Sequence, residues 1–343
     1  MSRHLAGRKI QSLITYCNKN QIKLELSKCE FIVVNGTVED KMDFHLSNGA
    51  IKNTEHITLL GSHISSSRNL QYDLNLHIQK RFHAISKFYN FLRNNKLAPI
   101  AVKLKVLDAC VCTALLHNCE TFADRIPQDL DTLYISLIKS CLGVRKATPN
   151  LLVQLESNMR PLKAMIYSRQ LEFFENFKRN LRIGSARSIV FEELMNHNTS
   201  YLKHYISLRN KFDSKKDIIR KYQDELREKI SILADRNNYK YSIYKKFNPK
   251  LSPLDTKNII VFNTRFLRLR MSSHSFPIEL GRWSRTKREE RICPTCNVLG
   301  DELHYIYVCP KISRDNLRDI PDLSHLHSYD KLHILLLKLD EYL

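Results

Sequence analysis

The chain has 343 residues, with 55 Lys and Arg against 35 Asp and Glu, a net charge of +20 with histidine neutral. Apolar residues at 43% and charged residues at 26% describe a globular chain able to bury a core, and they exclude an acidic disordered tail. Eight Gly and ten Pro exclude collagen-like or Gly/Pro low-complexity sequence, and there is no Gly-rich loop for a dinucleotide or a nucleoside triphosphate. An excess of cations attracts polyanions at long range and gains from counterion release at phosphates, so nucleic acid is the expected partner. The longest apolar run, Ala109 to Leu116, falls far short of the ~20 residues of a membrane-spanning helix, and a membrane is not expected as a partner. The opening MSRHLAGRKIQ lacks the apolar stretch of a secretory signal. The expected location is therefore intracellular, nucleus or cytoplasm, not secreted, and the nine cysteines read as free thiols or metal ligands.

In chain order, a helix is predicted over about 7–18, followed by a small antiparallel sheet. Ile22, Leu24 and Leu26 alternate as one strand, Phe31, Val33 and Val34 as a second, and Ile57 to Ile64 as a third broken by Gly61; Asn35-Gly36 and Asn48-Gly49 are turn signals. From about residue 67 the period becomes helical. Ile78, Phe82, Ile85, Tyr89 and Leu92 line one face, and Pro99 opens a second helix. Leu130, Leu133, Tyr134, Leu137, Ile138 and Cys141 build a third that Gly143 caps. A fourth starts near Pro161 with Leu162, Ile166, Phe173 and Phe177. One further helix uses Ile218, Tyr222, Leu226, Ile230 and Leu233 within the more polar stretch 200–250. Linkers are expected at 180–187 and, more strongly, at 248–255, where Pro249 and Pro253 bracket KLS. A helix or strand around Phe262 to Leu269, a cysteine cluster and a last helix over about 328–342 complete the chain.

The most specific chemistry lies in RICPTCNVLGDELHYIYVCPK. Cys293, Cys296, His304 and Cys309 form a C-x2-C-x7-H-x4-C array, in which a CxxC turn presents two thiolates to one tetrahedral ion and the His and last Cys close the site. Four protein ligands leave no open position for water, so the expected cofactor is a structural zinc. Asp301 and Glu302 read as helix N-terminal acids rather than ligands. Cys110, Cys112 and Cys119, with His117 between, lie in an apolar helical pattern and read as small buried hydrophobes.

Two stretches together resemble a family. TRFLRLRMSSHSFPIELGRWSRTKREERICPTCNVLGDELHYIYVCPKISRDNLR resembles the tail of reverse transcriptases from non-LTR (LINE-type) retrotransposons, which ends in a CCHC zinc knuckle followed by Cys-Pro and a downstream Arg. GRKIQSLITYCNKNQIKLELSKCEFIVVNG, then ITLLGSHIS, resembles the part of the polymerase palm after the catalytic aspartate pair, with Tyr16, Cys17 and Lys28 matching the helix end and the strand that follows, and Leu60 and Gly61 the primer-grip hairpin. HIQKRFHAISKFYNFLRNN, LLHNCETF and SCLGVRKATPN resemble the thumb and the helices beyond it. The resemblance implies a palm remnant over 1–66, thumb-like helices over 67–147, a helical connector over 148–251 and a basic zinc-knuckle domain over 252–343, in a mostly α-helical α+β fold. The Tyr-x-Asp-Asp turn that holds magnesium in this family is absent, so the isolated chain is expected not to polymerise DNA and to act with a missing polymerase portion. Lys28, near the incoming nucleotide in the family, is then expected to be an exposed strand-end lysine.

The nucleic-acid contacts are expected in two basic runs. NNYKYSIYKKFNPK interleaves Lys240, Lys245, Lys246 and Lys250 with Tyr239, Tyr241, Tyr244 and Phe247, which suits single-stranded RNA or DNA if the rings stack on bases, and a solvated linker if they pack inward. The second run, Arg265, Arg268, Arg270, Arg282, Arg285, Lys287, Arg288 and Arg291, leads into the knuckle around Trp283, the one tryptophan, which is read as a stacking platform or a core anchor. The expected function is binding of RNA or primer-template; the alternative is a domesticated zinc-containing protein-interaction module. A nuclease reading would use Pro321-Asp322 and Asp330-Lys331, but only 34 residues follow Cys309, too few for the sheet such a site needs.

Overall fold

The computed structural model describes residues 3–34, 36–46, 49–67, 70–122, 124, 126, 128–197, 199–236, 238–253, 263–312, 323 and 332–343. The chain divides into two compact units, residues 1–83 and 84–343. Asn35, Asn48, Phe262, Ser328, Pro321-Asp322 and Asp330-Lys331, singled out in the sequence, lie outside the described residues.

In the first unit α1 (Arg3–Lys19) ends where Gln21 takes a positive φ of 56° and the Ile22 N–H returns to the Cys17 carbonyl at 2.8 Å. Because that backbone closes the helix, the alternating Ile22, Leu24 and Leu26 form no strand but lead to a 3-10 turn, Leu26–Lys28. Lys28 is exposed on this turn, ahead of β1 (Glu30–Phe31). With β2 (Phe44–Leu46) and β3 (Gly49–Asn53) the sheet order is β1-β3-β2. The sheet is mixed, not purely antiparallel as expected: β1 runs parallel to β3, Glu30 opposite Lys52, and β2 antiparallel, Phe44 opposite Ile51. The chain between the end of β1 at Phe31 and the start of β3 at Gly49, β2 included, is long enough for the crossover that a parallel pair needs. Arg3 pins this chain just ahead of β2, donating to the carbonyls of Met42 at 2.5 Å and Asp43 at 2.8 Å while lying over the Phe44 ring. The predicted broken strand is a hairpin, β4 (His56–Leu59) and β5 (Ser62–Ser65), with Ile57 opposite Ile64. Leu60 at φ 50° and Gly61 at φ 83° make its two-residue turn, and both positive angles match the right-handed strand twist.

Helix α2 (Leu70–Asn94) spans the division between the units. Its buried residues in the second unit are Ile85 and Phe88, and Tyr89, expected on the same face as Ile85, is exposed. Helix α3 (Ile100–Val106) passes into a π-helical turn, Leu107–Cys112, and a last short piece, α4 (Thr113–Leu115). These pack with α5 (Gln128–Leu142), α6 (Asn150–Ser157) and α7 (Leu162–Arg179) around Leu107, Val111, Leu130, Leu137, Ile138 and Ile166, all closed to solvent. Tyr134 is buried with them and donates its hydroxyl proton to the Arg160 carbonyl at 2.9 Å. Cys112 and Cys119 are buried as the apolar pattern predicts, and burial pushes both thiols up to about 12; Cys110, expected to be buried with them, is instead exposed, on the solvent side of the π-helical turn.

Helices α8 (Ala186–Asn196), α9 (Ser200–Lys211) and α10 (Lys215–Asp235) each start on a hydroxyl cap, Ser185, Thr199 and Ser214 accepting from the amide three residues on. The apolar stripe of α10 buries Ile218, Leu226 and Ile230 as its period dictates, and Ile218 joins Ala164, Leu171, Leu208 and Phe212 in a second core.

Helices α11 (Tyr239–Phe247), α12 (Asn263–Arg270), α13 (Pro277–Trp283) and α14 (Leu332–Lys338) surround the cysteine segment. Ile243, Phe247, Phe266, Leu269, Phe276, Tyr305, Ile306 and Leu336 share one core with Cys293 and Cys309. Helix α11, ahead of the boundary expected at 251/252, thus packs into the same core as the cysteines.

Candidate metal centre and basic loop

The segment CPTCNV folds as a tight turn because Asn297 adopts φ 56°, an angle asparagine tolerates, and donates its amide to the Cys293 carbonyl at 2.8 Å. The Cys293 amide donates to Val298 O at 2.7 Å, and Ile292 bridges Leu299 across the turn. Asp301 caps the following turn, accepting from the His304 amide at 2.9 Å. A π-helical turn, His304–Val308, then brings His304 and Cys309 back to the two turn cysteines.

The four donor atoms of Cys293, Cys296, His304 and Cys309 lie within 4.8 Å of one another. The Cys309 sulfur is 4.0 Å from that of Cys293 and 3.9 Å from that of Cys296. Thiolates at ~2.3 Å from one tetrahedral zinc would be about 3.8 Å apart, so these separations suit a shared ion and are far too long for a disulfide. His304 Nε2 is buried with no hydrogen-bond partner, as a nitrogen reserved for a ligand would be. Burial opposes ionisation of Cys293, but the Thr295 amide, the Tyr305 hydroxyl and the Cys296 amide outweigh it and bring the thiol down to about 6. The donor set, three sulfurs and one imidazole, is compatible with zinc. All nine cysteines are free thiols.

Glu302 is not a ligand, and its role exceeds that of a helix-terminal acid. It is wholly buried and accepts from Tyr239 Oη at 2.5 Å, Ser272 Oγ at 2.6 Å and His274 Nε2 at 2.8 Å. This carboxylate ties α11 and the segment after α12 to the metal segment.

The basic run divides sharply. Arg270 is buried, its Nε 2.7 Å from Glu156 Oε1, and Glu156 also accepts the Tyr244 hydroxyl proton. Arg268 Nε donates to Gly143 O at 2.6 Å and its Nη1 to the Leu343 carbonyl. Arg265 pairs with Asp340 at 2.6 Å and Arg282 stands 3.4 Å from Glu279. Arg291 donates to Thr286 O from Nε and Nη2, at 3.0 and 2.8 Å, and to Ile278 O from Nη1 at 3.1 Å. The expectation that Arg265, Arg268 and Arg270 line a phosphate surface is therefore corrected: carboxylates and carbonyls of this chain already occupy their guanidinium groups. Arg285, Lys287 and Arg288 are exposed; Arg288 lies 4.9 Å over the Tyr239 ring, while the side chains of Arg285 and Lys287 meet no partner among the described residues.

The exposed cations stand on a loop clamped at both ends. Helix α13 stops in a Schellman turn, the Thr286 amide returning to Gly281 O at 2.8 Å, with Arg285 at φ 58° in the position glycine usually fills. At the other end, Arg291 folds its stem onto Gly281, where a Cβ would stand 2.4 Å from Arg291 Cγ, and its carbonyl accepts the Gly300 amide at 2.9 Å. The metal segment, α13 and the loop form one hydrogen-bonded block.

In the other basic run the rings turn inward: Tyr244 and Phe247 are buried and Tyr239 is bound to Glu302. Lys240 is buried 2.6 Å from Glu279, and Lys245 pairs with Asp235 at 2.9 Å. Lys246 and Lys250 are exposed and Lys245 is half-buried, while Tyr244 and Phe247 are closed to solvent, so this stretch is a packed helix and not a row of stacking rings. Sequence reasoning missed Arg145, which the loop after α5 brings to Trp283, its guanidinium carbon 4.7 Å from the ring centroid. No local signal pairs residues that far apart in the chain.

No family model, curated protein or solved structure matches the chain.

Proposed function

We propose that this chain binds nucleic acid through the loop 284–290, presented by a zinc-stapled module, as the C-terminal part of a protein resembling non-LTR reverse transcriptases. The observation that carries the reading is the clamped loop. Arg285 and Lys287 carry charges without partners among the described residues, at the end of a block built around Cys293, Cys296, His304 and Cys309. Zinc is structural here: the four side chains hold it, and its binding energy becomes folding energy of the surrounding core. The reverse-transcriptase part of the reading rests on the order of the sequence blocks. Lacking the Tyr-x-Asp-Asp carboxylates, the chain by itself should not polymerise DNA, and primer extension on an RNA template with magnesium should give no product.

The test is the salt dependence of affinity for a single-stranded oligonucleotide. Changing Arg285, Lys287 and Arg288 together to Ala should flatten the plot of log affinity against log salt by about 2, at ~0.7 per lost phosphate contact. The purified chain should carry one zinc, retained in this triple variant and lost in Cys309→Ser. An unchanged slope with zinc in place would overturn the assignment of the loop. The protein-interaction alternative is favoured by the exposed Ile189, Val190 and Met195 of α8, and a chain with no salt-sensitive binding would select it.

A further inference from the structure

We propose that Trp283, backed by Arg145, is a stacking platform for one unpaired base of a single-stranded nucleic acid. The inference rests on the nucleic-acid reading above and adds the kind of strand and the residue that recognises it. Trp283 occupies the last turn of α13 and is 46% exposed, whereas Phe276 and Tyr305 of the adjoining core are closed to solvent. A tryptophan serving as a core anchor would be buried with them. This one leaves roughly 100 Å² of a ~250 Å² side chain in water, among cations.

The ring is also held in place. Arg145 donates from Nη1 to His274 O at 2.8 Å, and its own amide donates to Ser273 Oγ at 2.9 Å. Thr148 Oγ1 contacts the same Ser273 hydroxyl at 3.0 Å. The loop starts at Gly143, which ends α5 at φ 66° and gives its carbonyl to Arg268 Nε at 2.6 Å. Arg145 is thus fixed before any ligand arrives, and its charge against the indole strengthens a stacked arrangement. Lys146, the next residue, is exposed with no side-chain partner among the described residues, and Arg285 and Lys287 stand two and four residues past Trp283. An aromatic face flanked by unpaired cations is the arrangement that takes a base on the ring and its phosphates on the charges. Every base has a π-face, so recognition should be tolerant of sequence; a duplex keeps its bases stacked inside and offers none.

Trp283 is the one tryptophan of the chain, so its fluorescence reports this site alone. The zinc-loaded full chain is titrated with oligo(dT), oligo(U), a duplex of the same length, and heparin as a polyanion without bases. Single strands should quench the emission with the same midpoint as their binding measured by anisotropy, and heparin should bind without comparable quenching. Trp283→Ala should weaken oligo(dT) binding about 5- to 100-fold, and Trp283→Phe should retain most of the affinity. Equal affinity of Trp283→Ala and wild type, with zinc and salt slope unchanged, would overturn this platform and leave the basic loop standing. Quenching by heparin as deep as by oligo(dT) would do the same. Absence of binding by every probe would overturn both readings.

Discussion

Replacing Arg285 with Gly should make the C-terminal module more stable and a weaker nucleic-acid binder. Arg285 is the residue just past the end of α13, at φ 58°, with its amide 3.4 Å from Arg282 O and the next amide 2.8 Å from Gly281 O. An L-residue in this left-handed conformation costs roughly 1–2 kcal/mol relative to glycine, while the extra freedom of glycine in the unfolded chain returns about 0.4–1 kcal/mol of that. The net gain is about 0.5–1 kcal/mol. Arg285→Ala loses the same charge but keeps the strained angle, so it serves as the control for the backbone. Denaturant unfolding followed by the emission of Trp283 reads the module that holds the loop. The Gly variant should unfold at higher denaturant than the Ala variant with the same slope. Both should lose about 0.7 from the salt slope on a single strand. If Gly is no more stable than Ala, the backbone at Arg285 is not strained; if neither loses affinity, its charge does not meet phosphate.

Arg270→Ala should act oppositely to the loop variants: it leaves Glu156 charged and buried, costing about 3–5 kcal/mol, with no change in salt slope, which denaturation and binding at two salt concentrations would check. Glu302 should set part of the acid limit of stability. Burial alone would raise its carboxyl, but the charge and hydrogen bond of His274 and the hydroxyls of Ser272 and Tyr239 outweigh burial and lower it from 4.5 to about 2. Its folded value is depressed, so its contribution, about 3 kcal/mol, is complete above pH 4.5 and is lost as pH falls toward 2. Glu302→Gln should therefore be less stable than wild type at pH 7 and converge on it in acid, as paired unfolding curves at each pH would reveal; a constant gap across that range would refute the assignment.

Features legible in the sequence are those whose physics is local. The apolar period of α5 and α10, the Gly143 terminator and the spacing of Cys293, Cys296, His304 and Cys309 each involve residues a few turns apart, and each appears in the folded chain. The hydroxyl caps that start α8 and α9 were equally local, and only their short, weakly amphipathic helices hid them. Strand pairing was not local: β1 lies beside β3 rather than beside its neighbour in sequence, and alternation alone carries no direction. The arginines make the same point for function. In NTRFLRLR nothing distinguishes Arg265, Arg268 and Arg270 from the cations of loop 284–290, since all are the same side chain in the same basic context. What separates them is where the fold delivers Asp340, Gly143 and Glu156, more than 70 residues away in sequence, to neutralise or occupy each guanidinium. A buried charge must find such a partner and an exposed one need not, so tertiary packing decided which part of the positive charge holds the protein together and which part is left to meet a ligand.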